Sequence, residues 1–286
     1  MSLAPAVYEL VAAPAAFALA AVHARRALGW GRAAVELLAL VAYGYGLERT
    51  AIAVFSSHDY GHVWRSAVDG VPLAVAVTWS AVIVAAMALA SRLARSPAGR
   101  AAAAALIGVS LDLLMEPVAV RAGLWSWTPP GPWLSVPVGN FVGWVVILGT
   151  YTVGAERWGR AGSLAAQAMR RLALGVAAVG ALLVVGTVWR ATGAERLFSG
   201  GCGWATWGLF LAATAAMAFR LRAGAPREPG LAARLGAARG PLPAAVLLLL
   251  AAVFAADALA QGDPRLALVA LGSLGVLAAV AGRAAT

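Results

Sequence analysis

The chain has 286 residues, of which 62% are hydrophobic and 12% are charged, and its formal net charge is +10. Soluble domains carry charge on about a quarter of their residues, so this composition excludes an ordinary soluble protein. The 22 basic residues are all arginines and lie between long apolar runs. This arrangement argues against nucleic-acid binding and indicates an integral membrane protein.

The apolar runs predict transmembrane helices. They are unbroken, rich in Ala, Leu and Val, and about 20 residues long, which suits a helix that crosses the hydrocarbon core rather than a short alternating barrel strand. The predicted spans are 5–24, 33–55, 70–91, 101–120, 138–156, 172–190, 203–220, 242–260 and 264–282. The last run follows a turn and is either a full span or an interfacial helix. We therefore expect an all-α polytopic membrane bundle of eight or nine helices, forming one domain over residues 1–286.

The arginines alternate between the two sides of this bundle. Sixteen of the 22 lie in the first, third, fifth and seventh loops or after the ninth span, and six lie in the other loops or beside them. The positive-inside rule then places the odd-numbered loops in the cytoplasm. We expect a multi-pass protein of the plasma membrane with its N-terminus outside.

The stretch Ser110–Trp144 departs from the apolar pattern. Asp112 and Glu116 are four residues apart in the fourth span, so they share one face of a helix. Glu48 in the second span and Asn140 at the start of the fifth are predicted at the same depth, in the outer half of the bilayer. An acid at this depth faces the bundle interior and either pairs with a cation or stays protonated. The group therefore predicts a polar site containing a proton donor.

A structural interpretation competes with this site. Arg121 or Arg49 could neutralise Asp112 and Glu116, in which case the acids would only fix the packing of the helices.

The tryptophans near this stretch also have two interpretations. Trp125, Trp127 and Trp133 fall at the predicted membrane interface, where an aromatic belt is expected. They could instead form a wall of aromatic faces around an apolar substrate or a carbocation. Trp79 and Trp144 lie deeper in their spans and are better candidates for that wall.

Three further features carry weaker signals. His58, Asp59 and His62 follow the second span at a spacing found in metal sites, but without a strong third ligand nearby we expect a solvated loop and no metal. Cys202 cannot form an internal disulfide and is interpreted as a small buried residue. Asp257 is an isolated intramembrane acid that is either structural or part of the same cavity.

Three linked motifs occur within 33 residues. They are Asp112 through Glu116-Pro117-Val118-Ala119, then Gly123-Leu124-Trp125-Ser126-Trp127, then Val136-Pro137 with Asn140-Phe141 and Gly143-Trp144. In this order and spacing they resemble the carotenoid-biosynthesis membrane protein family that contains carotenoid 1,2-hydratases of the CruF type, including bisanhydrobacterioruberin hydratases. The resemblance runs from about residue 36 to 150, so we expect the site to be formed mainly by 36–150.

The resemblance implies addition of water across the terminal C1=C2 double bond of an acyclic, ψ-end carotenoid such as lycopene. The product is a tertiary 1-hydroxy carotenoid, and no cofactor or metal is implied. Asp112 or Glu116 would protonate C2 while the other acid positions or deprotonates the water, and Glu48 and Asn140 would complete the polar cluster. The residues expected to bind the substrate are Trp79, Trp125, Trp127, Trp144 and Arg121.

The expected partners are the acyclic carotenoid, water and the lipid bilayer, without nucleic acid. The resemblance leaves other carotenoid-pathway enzymes open as partners. One rival function is an intramembrane prenyltransferase, because Asp112 and Glu116 resemble half of its acidic Mg²⁺ motif, although a second acidic motif is lacking. Another is a proton-coupled transporter that uses the two acids as a relay, although the internal repeats of many transporters are not evident.

Overall fold

The computed structural model describes residues 5–158, 162–198, 202–220 and 230–285, which are predominantly helical. The helices in chain order are α1 (Pro5–Leu28), α2 (Trp30–Phe55), α3 (Leu73–Leu93), α4 (Pro97–Ala122), α5 (Val138–Arg157), α6 (Leu164–Thr192), α7 (Cys202–Arg220), α8 (Leu231–Ala237), α9 (Leu242–Ala260) and α10 (Pro264–Ala285). A 3-10 helix, Ala194–Phe198, follows α6. The prediction of an all-α membrane bundle is confirmed.

Among the described residues, eight helices are long and apolar enough to cross a membrane, namely α1 to α6, α9 and α10. Helix α7 coincides with the predicted span 203–220, but several of its side chains lie outside the described residues. Helix α10 is continuous over 22 residues and packs against α9. The last apolar run is therefore long enough for a full span.

Helix α3 forms the centre of the bundle. Each side chain from 81 to 90 is at most 1% exposed, as expected for a helix that is apolar on every face. It packs against α1, α2, α4, α8 and α9. The half of the bundle that surrounds these residues is consequently filled with side chains.

Helix α4 carries the two acids and has well-defined ends. Ser96 accepts a hydrogen bond from the backbone N–H of Gly99 at 3.0 Å as an N-cap, and Gly123 ends the helix with a φ of 71°. Pro117 lies inside the helix and cannot donate to the carbonyl of Leu113. The indole N–H of Trp133 donates to that carbonyl instead, at 3.2 Å, which fixes the loop after α4 to the helix.

Two short strand pairs shape the loops at one end of the bundle. Strand β1 (His58–Asp59) pairs antiparallel with β4 (Ser126–Trp127), so that His58 lies opposite Trp127. Strands β2 (Ala67–Val68) and β3 (Val71–Pro72) form a hairpin around Asp69 and Gly70, a residue pair that suits a tight turn because both have positive φ. The β1–β4 pairing joins the loop after α2 to the loop after α4.

Buried charges stabilise the opposite end. Arg171 on α6 lies 2.7 Å from Glu36 on α2, and both side chains are almost fully buried. Tyr151 on α5 donates its hydroxyl to the same carboxylate at 3.0 Å. This network joins three helices through one acid.

The short helix α8 is held at both ends by charged side chains. Glu156, paired with Arg100 at 2.6 Å, accepts the backbone N–H of Ala232 at 2.8 Å in the first turn of α8. Arg92 donates to three carbonyl groups at and after its last turn, those of Gly236, Ala238 and Gly240. An acid at the N-terminus and a base at the C-terminus both suit the helix dipole.

Candidate active site

A cavity of about 1020 Å³ lies at the end of the bundle that carries the 56–72 and 123–137 loops. Helices α2 to α6 and the 3-10 helix form its walls, and Tyr8 of α1 also contributes. The lining ends at Val82 on α3 and Ile147 on α5. The cavity therefore occupies one half of the bundle, and part of its wall lies outside residues 36–150.

Glu116 lines this cavity and is held by two tryptophans of the following loop. Its Oε2 accepts the indole N–H of Trp125 at 2.9 Å and that of Trp127 at 2.7 Å. Trp125 is itself buried, and Trp127 is half-buried. Because Oε2 already has two donors, Oε1 is the oxygen left to carry a proton or to meet a ligand.

Asp112 is fully buried and, unlike Glu116, is not part of the cavity wall. Its Oδ2 accepts the side-chain amide N–H of Asn140 at 2.7 Å. Its Oδ1 has no hydrogen-bond partner among the described residues. Asn140 lines the cavity, so its amide lies between Asp112 and that space.

Glu195 positions the start of α5, which carries Asn140. Its Oε1 accepts the backbone N–H of Val138 at 2.7 Å, and its Oε2 accepts that of Gly139 at 3.0 Å. Trp189 donates its indole N–H to the same Oε2 at 3.0 Å. A carboxylate at a helix N-terminus is stabilised by the helix dipole, and this cap fixes the turn from which Asn140 projects.

Glu48 is a further acidic group of the cavity wall, besides Glu116 and Glu195. Its Oε1 accepts the indole N–H of Trp79 at 2.6 Å, and its Oε2 lies 3.0 Å from Nε2 of His58. The histidine contact has the distance of an ion pair without the alignment of a hydrogen bond. On the other side of the ring, Nδ1 lies 2.9 Å from Oγ of Ser57. Glu48 thus contacts Trp79 on α3 and His58 in the loop after α2.

Tyr60 closes the cluster between the two acids. It is buried, with its ring edge-on to Trp125 at 5.7 Å and to His58 at 5.1 Å. Burial, and secondarily the carboxyl groups of Glu48 and Glu116, raises the pKa of Tyr60 well above its usual value of about 10. Its hydroxyl therefore keeps its proton and can donate to a carboxylate.

Trp79 and Trp144 form an aromatic pair deeper in the cavity. Their ring centroids are 4.2 Å apart with an interplanar angle of 36°. Gly44 on α2 allows this arrangement, because a Cβ at that position would lie 2.7 Å from Cβ of Trp79. Both rings line the cavity, so their faces can contact an apolar or cationic ligand.

Arg121 lies away from this cluster. Its guanidinium is exposed and donates to Asp263 Oδ2 at 3.0 Å, at the start of α10. The alternative in which Arg121 neutralises Asp112 and Glu116 is therefore wrong.

Of the predicted site residues, the structure brings Glu48, Glu116, Asn140, Trp79, Trp125, Trp127 and Trp144 to the cavity wall. It leaves Asp112 behind that wall and Arg121 outside.

The aromatic-belt interpretation is wrong for two of the three loop tryptophans. Trp125 and Trp133 are 6% and 1% exposed, because each donates its N–H to an acceptor on α4. Trp133 also stacks on Trp207 of α7, with ring centroids 5.9 Å apart. These rings therefore fix the loop on the bundle.

The prediction of a solvated loop is wrong for His58, which is 6% exposed, whereas Asp59 and His62 are exposed. Within the described ranges, no three His, Cys, Asp or Glu side chains converge on a possible metal site. Asp257 accepts the amide of Gln261 at 2.6 Å and is not part of the cavity wall. The side chain of Cys202 lies outside the described residues.

Sequence reasoning missed Ser57, Tyr60 and Glu195 as site residues and interpreted His58 as part of a solvated loop. The only sequence signal for the three loop residues is a histidine and a tyrosine that follow a span containing an acid. The two-residue strand that brings them to the cavity is too short to show a periodic pattern.

A comparison with protein families gives one match to this chain. A family model described as "Carotenoid biosynthesis protein" matches residues 6–199, which is about two thirds of the 286 residues and more than the range 36–150 over which the motifs were recognised. No curated protein and no solved structure matches the chain.

Proposed function

Because the chain belongs to the carotenoid biosynthesis protein family, we propose that it is a carotenoid 1,2-hydratase. In this proposal it adds water across the terminal C1=C2 double bond of an acyclic, ψ-end carotenoid and gives a tertiary 1-hydroxy carotenoid. The observation that carries the proposal is Glu116, a carboxyl group in the wall of a largely apolar cavity with one oxygen held by two indole N–H groups. Family membership supports a role in carotenoid biosynthesis, and this carboxyl supports the reaction.

Glu116 is the proposed proton donor. An alkene accepts a proton only from a strong or well-placed acid, and a carboxyl group in a dry cavity can remain protonated until the substrate arrives. The proton sits on Oε1, because Oε2 accepts from Trp125 and Trp127. After transfer to C2, the same two donors stabilise the carboxylate that remains.

The tertiary cation that forms at C1 is stabilised by aromatic faces. Trp79 and Trp144 are paired in the cavity wall, and the N–H of Trp79 is fixed on Glu48. Indole faces attract a cation, and a carboxylate nearby adds a favourable charge. This part of the wall would hold the cation long enough for water to add before a proton is lost.

Asn140 is proposed to position the water. Its amide N–H groups include the one donated to Asp112, so its carbonyl oxygen is available to accept a hydrogen bond from a water molecule in the cavity. Asp112 is then a positioning residue rather than the proton donor. Its burial behind Asn140 supports this division of roles between the two acids of α4.

The polyene that follows the reacting end requires an apolar path. Leu182 and Val185 of α6, with Leu47 and Phe55 of α2, contribute the apolar wall on one side of the cavity. These helices are among those long enough to cross the membrane. The substrate would therefore enter from the bilayer, where a carotenoid dissolves, with its end group towards Glu116.

We also propose that the protein lies in the plasma membrane with the cavity in the outer half of the bilayer. The distribution of arginines supports this orientation through the positive-inside rule. Reporter fusions after residues 95 and 262 would test it: the first should be cytoplasmic and the second external. The reverse pattern would contradict the orientation without affecting the chemistry.

Co-expression with enzymes that make lycopene tests the function. Cells carrying the wild-type chain should accumulate a carotenoid heavier by one water, with a tertiary hydroxyl at C1. The variant Glu116→Gln should not, whereas Asp59→Asn, which changes an exposed acid in a nearby loop, should behave as wild type. Unchanged lycopene in wild-type cells that contain the protein in their membranes would contradict the proposal.

The same cells distinguish the rival functions. A prenyltransferase would give a product with an added isoprenoid unit and would lose activity when Mg²⁺ is chelated, whereas a hydratase should tolerate the chelator. A proton-coupled transporter would move a solute into vesicles without changing the pigment. The hydroxylated product is expected from the hydratase alone.

A further inference from the structure

We infer that His58 is the catalytic base of the site and receives the proton that the attacking water loses. The inference rests on the proposed hydration and assigns its second half, the capture of the cation. It gives the reaction an acid and a base on different elements: Glu116 on α4 donates, and His58 on the loop after α2 accepts.

Three side chains form a continuous polar chain at the cavity wall. Nε2 of His58 lies 3.0 Å from Oε2 of Glu48, and Nδ1 of the same ring lies 2.9 Å from Oγ of Ser57. All three residues line the cavity. An acid, an imidazole and a hydroxyl in this order resemble the arrangement in which a carboxylate orients a base and the base withdraws a proton from an O–H group. Here Glu48 meets the ring at ion-pair distance and not through an aligned hydrogen bond.

The contacts select one tautomer of the ring. An acceptor-only carboxylate at Nε2 favours a proton on that nitrogen, since two lone pairs at 3.0 Å would repel. Nδ1 then carries the lone pair and accepts from the hydroxyl of Ser57. In this tautomer the side of the ring that faces Ser57 carries the lone pair that can take up a proton.

The aromatic neighbours hold this ring in place. His58 packs against Trp127 with ring centroids 5.0 Å apart and against Tyr60 at 5.1 Å. The backbones of His58 and Trp127 are also paired in the β1–β4 ladder, which keeps the two rings side by side. Trp127 also donates to Glu116, so one indole contacts both the proposed acid and the proposed base.

The proposed reaction conserves atoms and charge. The proton on Oε1 of Glu116 moves to C2, and the electron pair of the C1=C2 bond forms the new C–H bond, which leaves the cation at C1. The water oxygen donates a lone pair to C1 and forms the C–O bond. One proton of the resulting oxonium passes to Oγ of Ser57 as the hydroxyl proton of Ser57 passes to Nδ1 of His58. Exchange with solvent returns that proton to Glu116, so the sum is alkene plus water giving alcohol.

The variant His58→Gln separates capture of the cation from its formation. Glutamine can hydrogen-bond but cannot accept a proton, whereas Glu116 can still protonate C2. The cation should then return a proton from C2 or from an adjacent methyl group to the carboxylate of Glu116. In D₂O this cycle leaves deuterium in the recovered carotenoid without hydration.

The experiment supplies lycopene to membranes that contain the protein in D₂O buffer and measures hydrated product and deuterium in recovered lycopene. For His58→Gln we expect hydration to fall about 100-fold, in the range for loss of a general base, and the ratio of exchange to hydration to rise at least about tenfold. The matched control is His62→Gln, which changes an exposed histidine of the same loop and should leave both values unchanged. Ser57→Ala should lower hydration about tenfold, because a mobile water replaces a fixed hydroxyl.

Hydration at the wild-type rate in His58→Gln overturns the inference, and so does a parallel loss of hydration and exchange. If His58→Gln does not accumulate in membranes, an undiminished rate in Ser57→Ala overturns it. Failure of the proposed function is a different result, because then the wild-type protein itself forms no hydrated carotenoid.

Discussion

Trp133 donates its indole N–H to the backbone carbonyl of Leu113 at 3.2 Å. In a regular helix this carbonyl would accept the N–H of residue 117, but that residue is a proline and has no N–H. The tryptophan therefore takes the place of a missing backbone hydrogen bond between the positions of the two acids. The proline that interrupts α4 and the tryptophan of the following loop work as one structural unit.

Trp133→Phe should destabilise the protein by about 1–3 kcal/mol, because a buried carbonyl loses its donor while most of the aromatic packing is retained. The midpoint of thermal unfolding in detergent measures the effect. Trp158→Phe is the control, since Trp158 is 48% exposed and its replacement should cost less than about 0.5 kcal/mol. Equal midpoints for the two variants would show that the Leu113 carbonyl does not depend on Trp133.

Glu116→Gln and Asp112→Asn should have unequal effects on hydration. Loss of the proton donor lowers the rate by about 100-fold or more, whereas the amide in Asp112→Asn still offers an oxygen to Asn140 and should cost about tenfold. The rate of hydrated product formed per amount of membrane-inserted protein measures both. If both variants kept the wild-type rate, neither acid would have the role assigned to it. A larger loss of rate in Asp112→Asn would instead indicate that Asp112 is the proton donor.

Trp125→Phe and Trp127→Phe each remove one donor from Oε2 of Glu116. The carboxylate left after proton transfer then loses a charge-assisted hydrogen bond, so each variant should slow hydration about tenfold, equivalent to about 1.4 kcal/mol. The double variant should lose more than the product of the two, because the oxygen is then without any indole donor. Trp204→Phe, in α7, changes a tryptophan outside the cavity wall and should leave the rate unchanged. A wild-type rate in the double variant would show that the two indole N–H groups do not contribute to hydration.

Arg171→Leu should destabilise the protein strongly, because it leaves the buried carboxylate of Glu36 without its cation. Such a loss costs about 3–5 kcal/mol, whereas the double variant Glu36→Leu/Arg171→Leu removes both charges and should be milder. Retention of folded protein during heating in detergent measures the difference. Arg170→Leu, at the adjacent exposed position, is the control and should behave as wild type. A double variant less stable than Arg171→Leu would contradict this account.

The helical bundle could be predicted because membrane crossing imposes a simple rule on the sequence. Only helices satisfy their backbone within a segment, so nine apolar runs translate directly into helices, and the described structure has a helix over each of them. The meeting of Glu48, Glu116 and Asn140 at one cavity could be predicted by the same reasoning, since residues at matching positions of adjacent spans lie side by side.

The loop contributions could not be predicted in the same way. His58 reaches the cavity through a two-residue strand paired with Trp127, and such a pairing depends on hydrogen bonds between backbones 69 residues apart rather than on side-chain pattern. The position of Asp112 behind the cavity wall could not be predicted either. Its position on α4 resembles that of Glu116, and only the packing of α5 decides that Asn140 stands between Asp112 and the cavity.

The dense packing of α3 over residues 81–90 sets a limit on how a long, symmetric molecule can be processed. The cavity ends at Val82 and Ile147, so a rod-shaped polyene cannot pass along α3 to the opposite end of the bundle. If the chain acts on a carotenoid as proposed, one end group would enter the cavity while the far end stays outside it. A carotenoid modified at both ends would have to withdraw, turn around and enter again, and a singly hydrated molecule would be released between the two visits.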